Sequence, residues 1–364
     1  MQGRHLESAA IKESAPPTDS VSTESRDRGR RRRRRDLALL LGLLAVVAVA
    51  GSGSGAVRVR VEPASHPAST GKTRATLTRG TSQSRLSGTL PFSDTWLASH
   101  PQAPVDVKGD SAVLVDLDTR QVLWERGPHS IRPPASLTKL VTAMVVADHV
   151  SSLEMPVRVP PEADVKAMQQ IEPASTVMGI NAGEVLTVRE LLTGLFLRSG
   201  NDAAEALARG IGLPRDRFIE LMNEKARAIG MKNSHFTTPV GLDDPNMMST
   251  AFDLAVAAYT IDSQYPALAA IADQPEMHIP ATSTHKAFDG VNWLHSFFES
   301  YPGATGMKTG YTDDAGGCTV TTATRGDRRL VAVVMHSGVM VSDAEHLLDY
   351  GFSVRLRPSS AEPH

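Results

Sequence analysis

The amino-acid sequence predicts an α+β domain, an antiparallel sheet flanked by helices, and three observations lead there. Apolar runs of strand character lie near both ends of the region, over 112–124 and 318–336. Between them, helix caps and apolar helical runs recur. No internal repeat interrupts the pattern.

The elements come in order along the chain. Ala112-Val113-Leu114-Val115, Asp118-Thr119-Arg120 and Gln121-Val122-Leu123-Trp124 read as strand, turn and strand. Pro133-Pro134 ends the extended path, and an apolar helix carrying Ser136 and Lys139 comes next. Thr187-Val188-Arg189-Glu190 is a capping box opening a helix through 191–197. Residues 202–209 and 218–229 read as helices, each followed by a glycine (Gly210, Gly230) suited to a C-terminal stop. Thr250-Ala251-Phe252-Asp253 caps another helix reaching residue 261. Strands over 318–324 and 330–336 flank a Gly326-Asp327 turn, and 343–350 forms a closing helix. Strands at both ends with helices between them give one sheet completed by the two termini of the domain.

Charge divides the 364-residue chain into zones that its net charge of -2 conceals. Residues 1–36 hold 10 Lys/Arg against 6 Asp/Glu, and residues 37–105 hold 6 against 2. Residues 106–364 hold 22 against 32, and so acidic a domain argues against nucleic acid as a partner. The single cysteine, Cys318, excludes an intrachain disulfide framework and metal clusters built on several thiolates.

The first 36 residues read as a polar, disordered, basic cytoplasmic tail ending in six arginines, Arg30 to Arg35. No charge appears from Leu37 through Val57. Arginine beside an apolar segment keeps that flank cytoplasmic, so the chain on the segment's C-terminal side is translocated. Residues 37–57 are long enough for a signal anchor in the cytoplasmic membrane; Ala48-Val49-Ala50 also fits signal-peptide cleavage, which would release the protein. The expected location is the cell envelope, with the catalytic part on the extracytoplasmic side. Residues 58–105 have the Ser/Thr/Gly/Pro/Arg composition of a flexible linker, 106–355 form the catalytic domain, and 356–364 are a C-terminal tail.

Three short motifs carry the chemistry. Ser136-Leu137-Thr138-Lys139 places a hydroxyl and an amine three residues apart, on one helix face. A desolvated lysine near a second cation can be neutral enough to take the serine proton. Ser199-Gly200-Asn201 and Lys308-Thr309-Gly310 come later in the chain, at separations of 63 and 109 positions. Singly, each motif is more often a turn or a strand start; in this order and setting they specify acyl transfer. Ser136 is then the nucleophile and Lys139 the base. Ser199 relays a proton to the leaving nitrogen, and Asn201 orients Lys139 and the substrate backbone. Lys308 supplies a second ammonium, Thr309 a hydroxyl for a carboxylate, and Gly310 room for a peptide along the strand edge.

With these residues the chain closely resembles the serine D-alanyl-D-alanine carboxypeptidases, the low-molecular-mass penicillin-binding proteins. The resemblance runs from Ala112 to Phe352. It includes Pro134-Ala135-Ser136-Leu137-Thr138-Lys139-Leu140, Leu197-Arg198-Ser199-Gly200-Asn201-Asp202-Ala203-Ala204, Gly241-Leu242-Asp243-Asp244 and Gly306-Met307-Lys308-Thr309-Gly310-Tyr311-Thr312. It implies a penicillin-binding-protein/β-lactamase-like transpeptidase fold with a helical subdomain, and an acyl-enzyme on Ser136. It also implies peptidoglycan stem peptides ending in D-Ala-D-Ala as substrates, β-lactams as covalent inhibitors, and no cofactor or metal. By the same matching, Tyr311 and Thr312 join the substrate-binding strand, and the N–H groups of Ser136 and Tyr311 form the oxyanion hole.

Two departures from the family pattern stand out. Many members carry an arginine shortly before the closing helix that helps hold the substrate's terminal carboxylate; the aligned residue here is Met340, between Val339 and Val341. Carboxylate recognition then falls to Lys308, Thr309 and Thr312, or the enzyme cuts cross-links as an endopeptidase. The chain also ends twelve residues after Phe352, so the β-rich second domain and C-terminal anchor of some relatives are expected to be absent.

Competing readings fit less well. A class A β-lactamase needs a Glu-x-x-Leu-Asn water site, which none of Glu154, Glu162, Glu172 and Glu184 provides, and Ser-Gly-Asn stands where that class has Ser-Asp-Asn. A non-catalytic cell-wall-binding homologue predicts a broken nucleophile or base, yet Ser136, Lys139 and Lys308 are all present. The twelve histidines make no ligand set for a metalloenzyme. Asp243-Asp244 and Asp313-Asp314 read as turn residues.

Overall fold

The computed structural model describes residues 92–355. The tail expected over 1–36, the signal segment over 37–57, the linker as far as residue 91 and the tail over 356–364 lie outside the described residues.

In chain order the elements are α1 (Thr95–Ser99), β1 (Ser111–Asp116), β2 (Gln121–Arg126), α2 (Lys139–His149), β3 (Pro156–Arg158), α3 (Val165–Ile171), β4 (Val185–Thr187), α4 (Val188–Leu197), α5 (Asn201–Gly210), α6 (Arg215–Ile229), α7 (Ala251–Gln264), α8 (Pro266–Ala272), β5 (Glu276–Ile279), β6 (Phe288–Val291), α9 (His295–Ser300), β7 (Ala304–Thr312), β8 (Gly316–Arg325), β9 (Arg328–Ser337) and α10 (Met340–Ser353), with a 3₁₀ turn (Ala135–Thr138) leading into α2. Five strands form one antiparallel sheet in the order β2-β1-β9-β8-β7. The strands from the two ends of the domain join where β1 pairs with β9, from Ser111↔Met335 to Asp116↔Leu330, as the sequence predicts.

Period-two alternation sorts the strand side chains onto two cores. Val113, Val115, Val331 and Val333 pack with helices α2 and α4 to α8, while Ala112, Leu114, Ala332 and Val334 face α9 and α10. Helix α2 lies within the first core, with Leu140 to Val146 all buried, so its start is held rigidly. Among the described residues strand β7 is one edge of the sheet, paired on one side only.

Four details differ from the sequence reading. Ser136 lies on the 3₁₀ turn rather than in the helix, because Ala135 takes the left-handed region (φ 49°) and α2 begins only at Lys139. Gly230 is the left-handed helix stop expected of it (φ 94°), but Gly210 is the last residue of α5 and Gly212 takes the turn (φ 84°). Strands β3 to β6 and helices α1, α3, α8 and α9 carry too few residues each to show a period. Residues 92–105, assigned to the linker, instead run along the outer edge of β2. Phe92 is buried, Trp96 N donates to Gln121 Oε1 (3.0 Å), Gln102 Nε2 to the Glu125 carbonyl (2.9 Å), and Trp124 Nε1 to the Ala103 carbonyl (3.1 Å). Contacts made largely through backbone and amide groups leave no mark on composition.

Candidate active site

The nucleophile turn is squeezed between two glycines. A Cβ at Gly241 would lie 1.9 Å from the Ala135 carbonyl oxygen, and one at Gly310 would lie 2.8 Å from Ser136 N. Both neighbours are backbone, so neither position accepts a side chain without the turn moving. One turn on, Lys139 is fully buried, and its Nζ lies 2.8 Å from Ser136 Oγ, 2.7 Å from Asn201 Oδ1 and 2.7 Å from the Val240 carbonyl oxygen. Burial holds the Lys139 amine well below its ordinary pKa, the charge of Lys308 lowers it further, and Asp202 and Glu205 oppose both.

Ser199 joins α4 to α5 with its backbone in the left-handed region (φ 55°), and its buried hydroxyl has no hydrogen-bond partner among the described residues. Asn201 opens α5 and is fixed from several sides. Its Nδ2 donates to Ser175 Oγ (2.5 Å), its N–H to the Thr176 carbonyl (2.9 Å), and Thr176 Oγ1 donates to the Ser199 carbonyl (2.9 Å). The next residue, Asp202, is buried and accepts the N–H groups of Met178, Gly179, Ile180 and Ala203 at 2.7–3.0 Å. Its carboxylate thereby clamps the loop carrying Ser175 and Thr176 against the Ser-Gly-Asn turn.

The third motif lies along β7. Lys308 and Thr309 are buried, while Tyr311 is 69% exposed. Lys308 Nζ donates to the Thr309 carbonyl (2.8 Å), and burial lowers its pKa to about 7. Gly310 pairs with Cys318 in register, and the sequence reading of Gly310 as room for a peptide gains a tighter reason in its approach to Ser136 N. The Thr312 hydroxyl, expected to serve a substrate carboxylate, donates to Asp243 Oδ1 (2.5 Å) instead. The Met340 thioether sits over Gly317, the residue opposite Tyr311, where it presents sulfur and no charge.

The structure thus draws together Ser136, Lys139 and Asn201 by direct contact, and sets Gly310, with Lys308 and Thr309 before it and Tyr311 and Thr312 after it, against the same turn. Sequence reasoning missed Ser175, Thr176, Asp202 and the Val240 carbonyl. Asp202 and Val240 lie beside recognised motifs, and proximity to them was the available signal; Ser175 and Thr176 carried none. Glu154 pairs with Arg189, while Glu172 and Glu184 accept N–H groups of their own loops, from Ala174 and Asn181.

Comparisons with known proteins point to one family. The sequence profile of the D-alanyl-D-alanine carboxypeptidase family, peptidase family S11, matches residues 97–338. The D-alanyl-D-alanine carboxypeptidase DacB2 of Mycobacterium tuberculosis is 36% identical over 255 residues, covering 68% of this chain and 83% of its own. DacF of Bacillus subtilis is 31% identical over 248 residues, 67% of this chain and 62% of its own. This chain therefore spans about three fifths of DacF, as it does of DacD of Escherichia coli (61%). Among solved structures, a D-alanyl-D-alanine carboxypeptidase from M. tuberculosis superposes with a TM-score of 0.62 at 35% identity, covering 70% of this chain and 95% of that one. Penicillin-binding protein 6B from E. coli gives 0.64 at 32% identity, with 72% and 84% covered.

Proposed function

The chain belongs to the D-alanyl-D-alanine carboxypeptidase family, and from that premise we propose that it is a serine hydrolase removing the terminal D-alanine of peptidoglycan stem peptides. The observation that carries the proposal is the set of three oxygens around Lys139 Nζ. A neutral amine has two N–H bonds and one lone pair. Two of the three neighbours are carbonyl oxygens, which can only accept; they take both hydrogens and turn the lone pair toward the Ser136 hydroxyl. The site is thus arranged for Lys139 to accept the serine proton, and burial favours the neutral form that can do so.

In this reaction the Ser136 proton passes to Lys139 while Oγ attacks the carbonyl carbon of the penultimate D-alanine. The N–H groups of Ser136 and Tyr311 hold the oxyanion that forms. The C–N bond then breaks, and the Ser199 hydroxyl passes a proton from Lys139 to the departing nitrogen, leaving an ester on Ser136. Water hydrolyses the ester by the same proton route in reverse. A β-lactam enters at the first step: its ring amide opens and the same ester forms. Lys308 and Thr309 hold the substrate carboxylate from β7. The arginine run and uncharged segment over 30–57 direct the catalytic domain across the cytoplasmic membrane and anchor it there.

The test is to incubate the purified protein with a stem pentapeptide, follow released D-alanine, and locate any penicillin adduct by mass spectrometry. D-alanine release with an adduct on Ser136 is expected; neither release nor adduct overturns the proposal.

One observation favours a second reading, cleavage of cross-links. Met340 is uncharged and the Thr312 hydroxyl is engaged by a carboxylate, so the carboxylate-binding side of the cleft is poorer in cationic and donor groups than the motifs alone suggest. Release of monomers from purified cross-linked wall fragments, in preference to D-alanine from pentapeptide, is its signature.

A further inference from the structure

We propose that Asp243 is a positioning residue that fixes the end of β7, and with it the Tyr311 N–H, relative to the nucleophile; this deepens the acyl-transfer reading and rests on it. By sequence Asp243 is a turn residue, and its side-chain oxygens accept from Thr312 and Asp314.

The segment from Pro239 to Asp243 contacts three parts of the site. Its Pro239 carbonyl accepts Thr142 Oγ1 of α2 (2.8 Å), and its Val240 carbonyl accepts Lys139 Nζ (2.7 Å). Gly241 lies flush against the Ala135 carbonyl, close enough to exclude any Cβ. At the far end, Asp243 reaches to the sheet. Its Oδ1 accepts the Thr312 hydroxyl (2.5 Å) and its Oδ2 accepts the Asp314 N–H (3.3 Å), while Thr312 Oγ1 in turn accepts the Ala315 N–H (3.1 Å).

Asp243 is therefore the side chain by which a strap already bound to the base and to the nucleophile turn grips the β7–β8 turn. Tyr311 lies between two anchors, Gly310 pressed on Ser136 N and Thr312 held by Asp243. As β7 is an edge strand, pairing with β8 alone leaves its end freer to swing than an interior strand. An oxyanion donor is useful only when it is fixed before the charge develops. The carboxylate supplies that fixing from the side of the cleft on which the base sits, so strand and base keep one spacing.

The test is a double-mutant cycle on full-length protein, reading the acylation rate constant with a fluorescent penicillin at saturating and sub-saturating concentrations. Asp243→Ala and Thr312→Val are each expected to slow acylation roughly tenfold with little change in half-saturating concentration. The double variant is expected to be no slower than either single one, because both remove the same link. Thr312→Ser, which keeps the hydroxyl, is expected to restore the rate. Asp243 is exposed, so its variants are expected to melt within a few degrees of the parent. Unchanged rates, or losses that multiply in the double variant, overturn the inference while the labelled parent leaves the acyl-transfer reading intact. A parent that forms no adduct on Ser136 removes both.

Discussion

Gly310 abuts the backbone at Ser136, so closely that a methyl group at residue 310 would meet Ser136 N at 2.8 Å and the Ala135 Cβ at 3.0 Å. The substrate strand and the nucleophile turn are therefore one packed unit. Gly310→Ala must push β7 away from the turn, and inserting a methyl into a packed site costs about 1–3 kcal/mol. The expected outcome is a folded protein with a lower melting temperature whose acylation by penicillin falls roughly a hundredfold, as a shift of about 1 Å at the reacting atoms can produce. Stopped-flow acylation beside thermal melts checks both halves. Parent-like acylation would mean that the strand does not need its contact with Ser136.

Lys139 is buried, and its charged form is disfavoured there, so in the proposed reaction the residue serves chemistry against stability. Lys139→Met keeps much of the volume and removes the amine. Its acylation rate is expected to drop at least 10²–10⁴-fold, the usual contribution of a general base. Its melting temperature at neutral pH is expected to stay level or rise. Ser136→Ala is the companion, losing all covalent labelling while the fold persists. Labelling retained in either variant, read by in-gel fluorescence, would move the nucleophile or the base elsewhere.

Much of this site was legible in the sequence, because acyl transfer needs particular atoms and those atoms come with particular residues. Ser136, Lys139, Asn201 and Lys308 declared themselves by type and spacing. Strands β1, β2, β8 and β9 declared themselves as apolar runs of strand character near the two ends of the domain. What stayed hidden rests on backbone geometry or on contacts between distant residues. The left-handed turn at Ala135 moves Ser136 out of the helix, yet nothing about an alanine announces a positive φ. The Val240 carbonyl serves Lys139 through an atom that every residue has. Asp243 reads as a turn residue by any local rule, and its partner Thr312 is 69 positions away. Ser175 steadies Asn201 from a loop with no periodicity at all.

Lys308 gives the protein a pH signature. Its ordinary pKa of 10.5 falls to about 7 in the fold, solely through burial. Between those values the unfolded chain holds a proton that the folded chain has released, so stability rises with pH across that window. Below about pH 7 both states carry the proton at Lys308 and its full penalty remains. Lys139, lowered in the same direction, adds to the rise. Thermal melts from about pH 6.5 to 10 are expected to show it, after allowance for other groups by comparison with Lys308→Met, whose curve should climb less steeply. Equal slopes in parent and variant would mean that Lys308 keeps its ordinary pKa. Activity should run the other way. The ammonium that attracts a carboxylate is lost as pH passes about 7, so half-saturating concentrations for anionic substrates should rise on the alkaline side.

Met340 tests which bond the proposed hydrolase is built to cut. Its thioether covers Gly317, and Gly317 is the register partner of Tyr311, so residue 340 borders the strand that receives the substrate. With sulfur at that position, a free terminal carboxylate finds only Lys308 and Thr309 on β7, since the Thr312 hydroxyl is held by Asp243. An arginine can span the same distance with a charged, planar head that binds carboxylates in two places at once. Met340→Arg is therefore expected to raise kcat/KM for a D-Ala-D-Ala pentapeptide roughly tenfold, about 1.4 kcal/mol of added binding, and to leave acylation by a β-lactam ester, which lacks the carboxylate, unchanged. Cross-link cleavage should not gain in parallel, because the group beyond that bond is not a terminal D-alanine. Should the pentapeptide and the ester respond alike, residue 340 plays no part in reading the carboxylate, and the poverty of charge at this end of the cleft has no bearing on substrate choice.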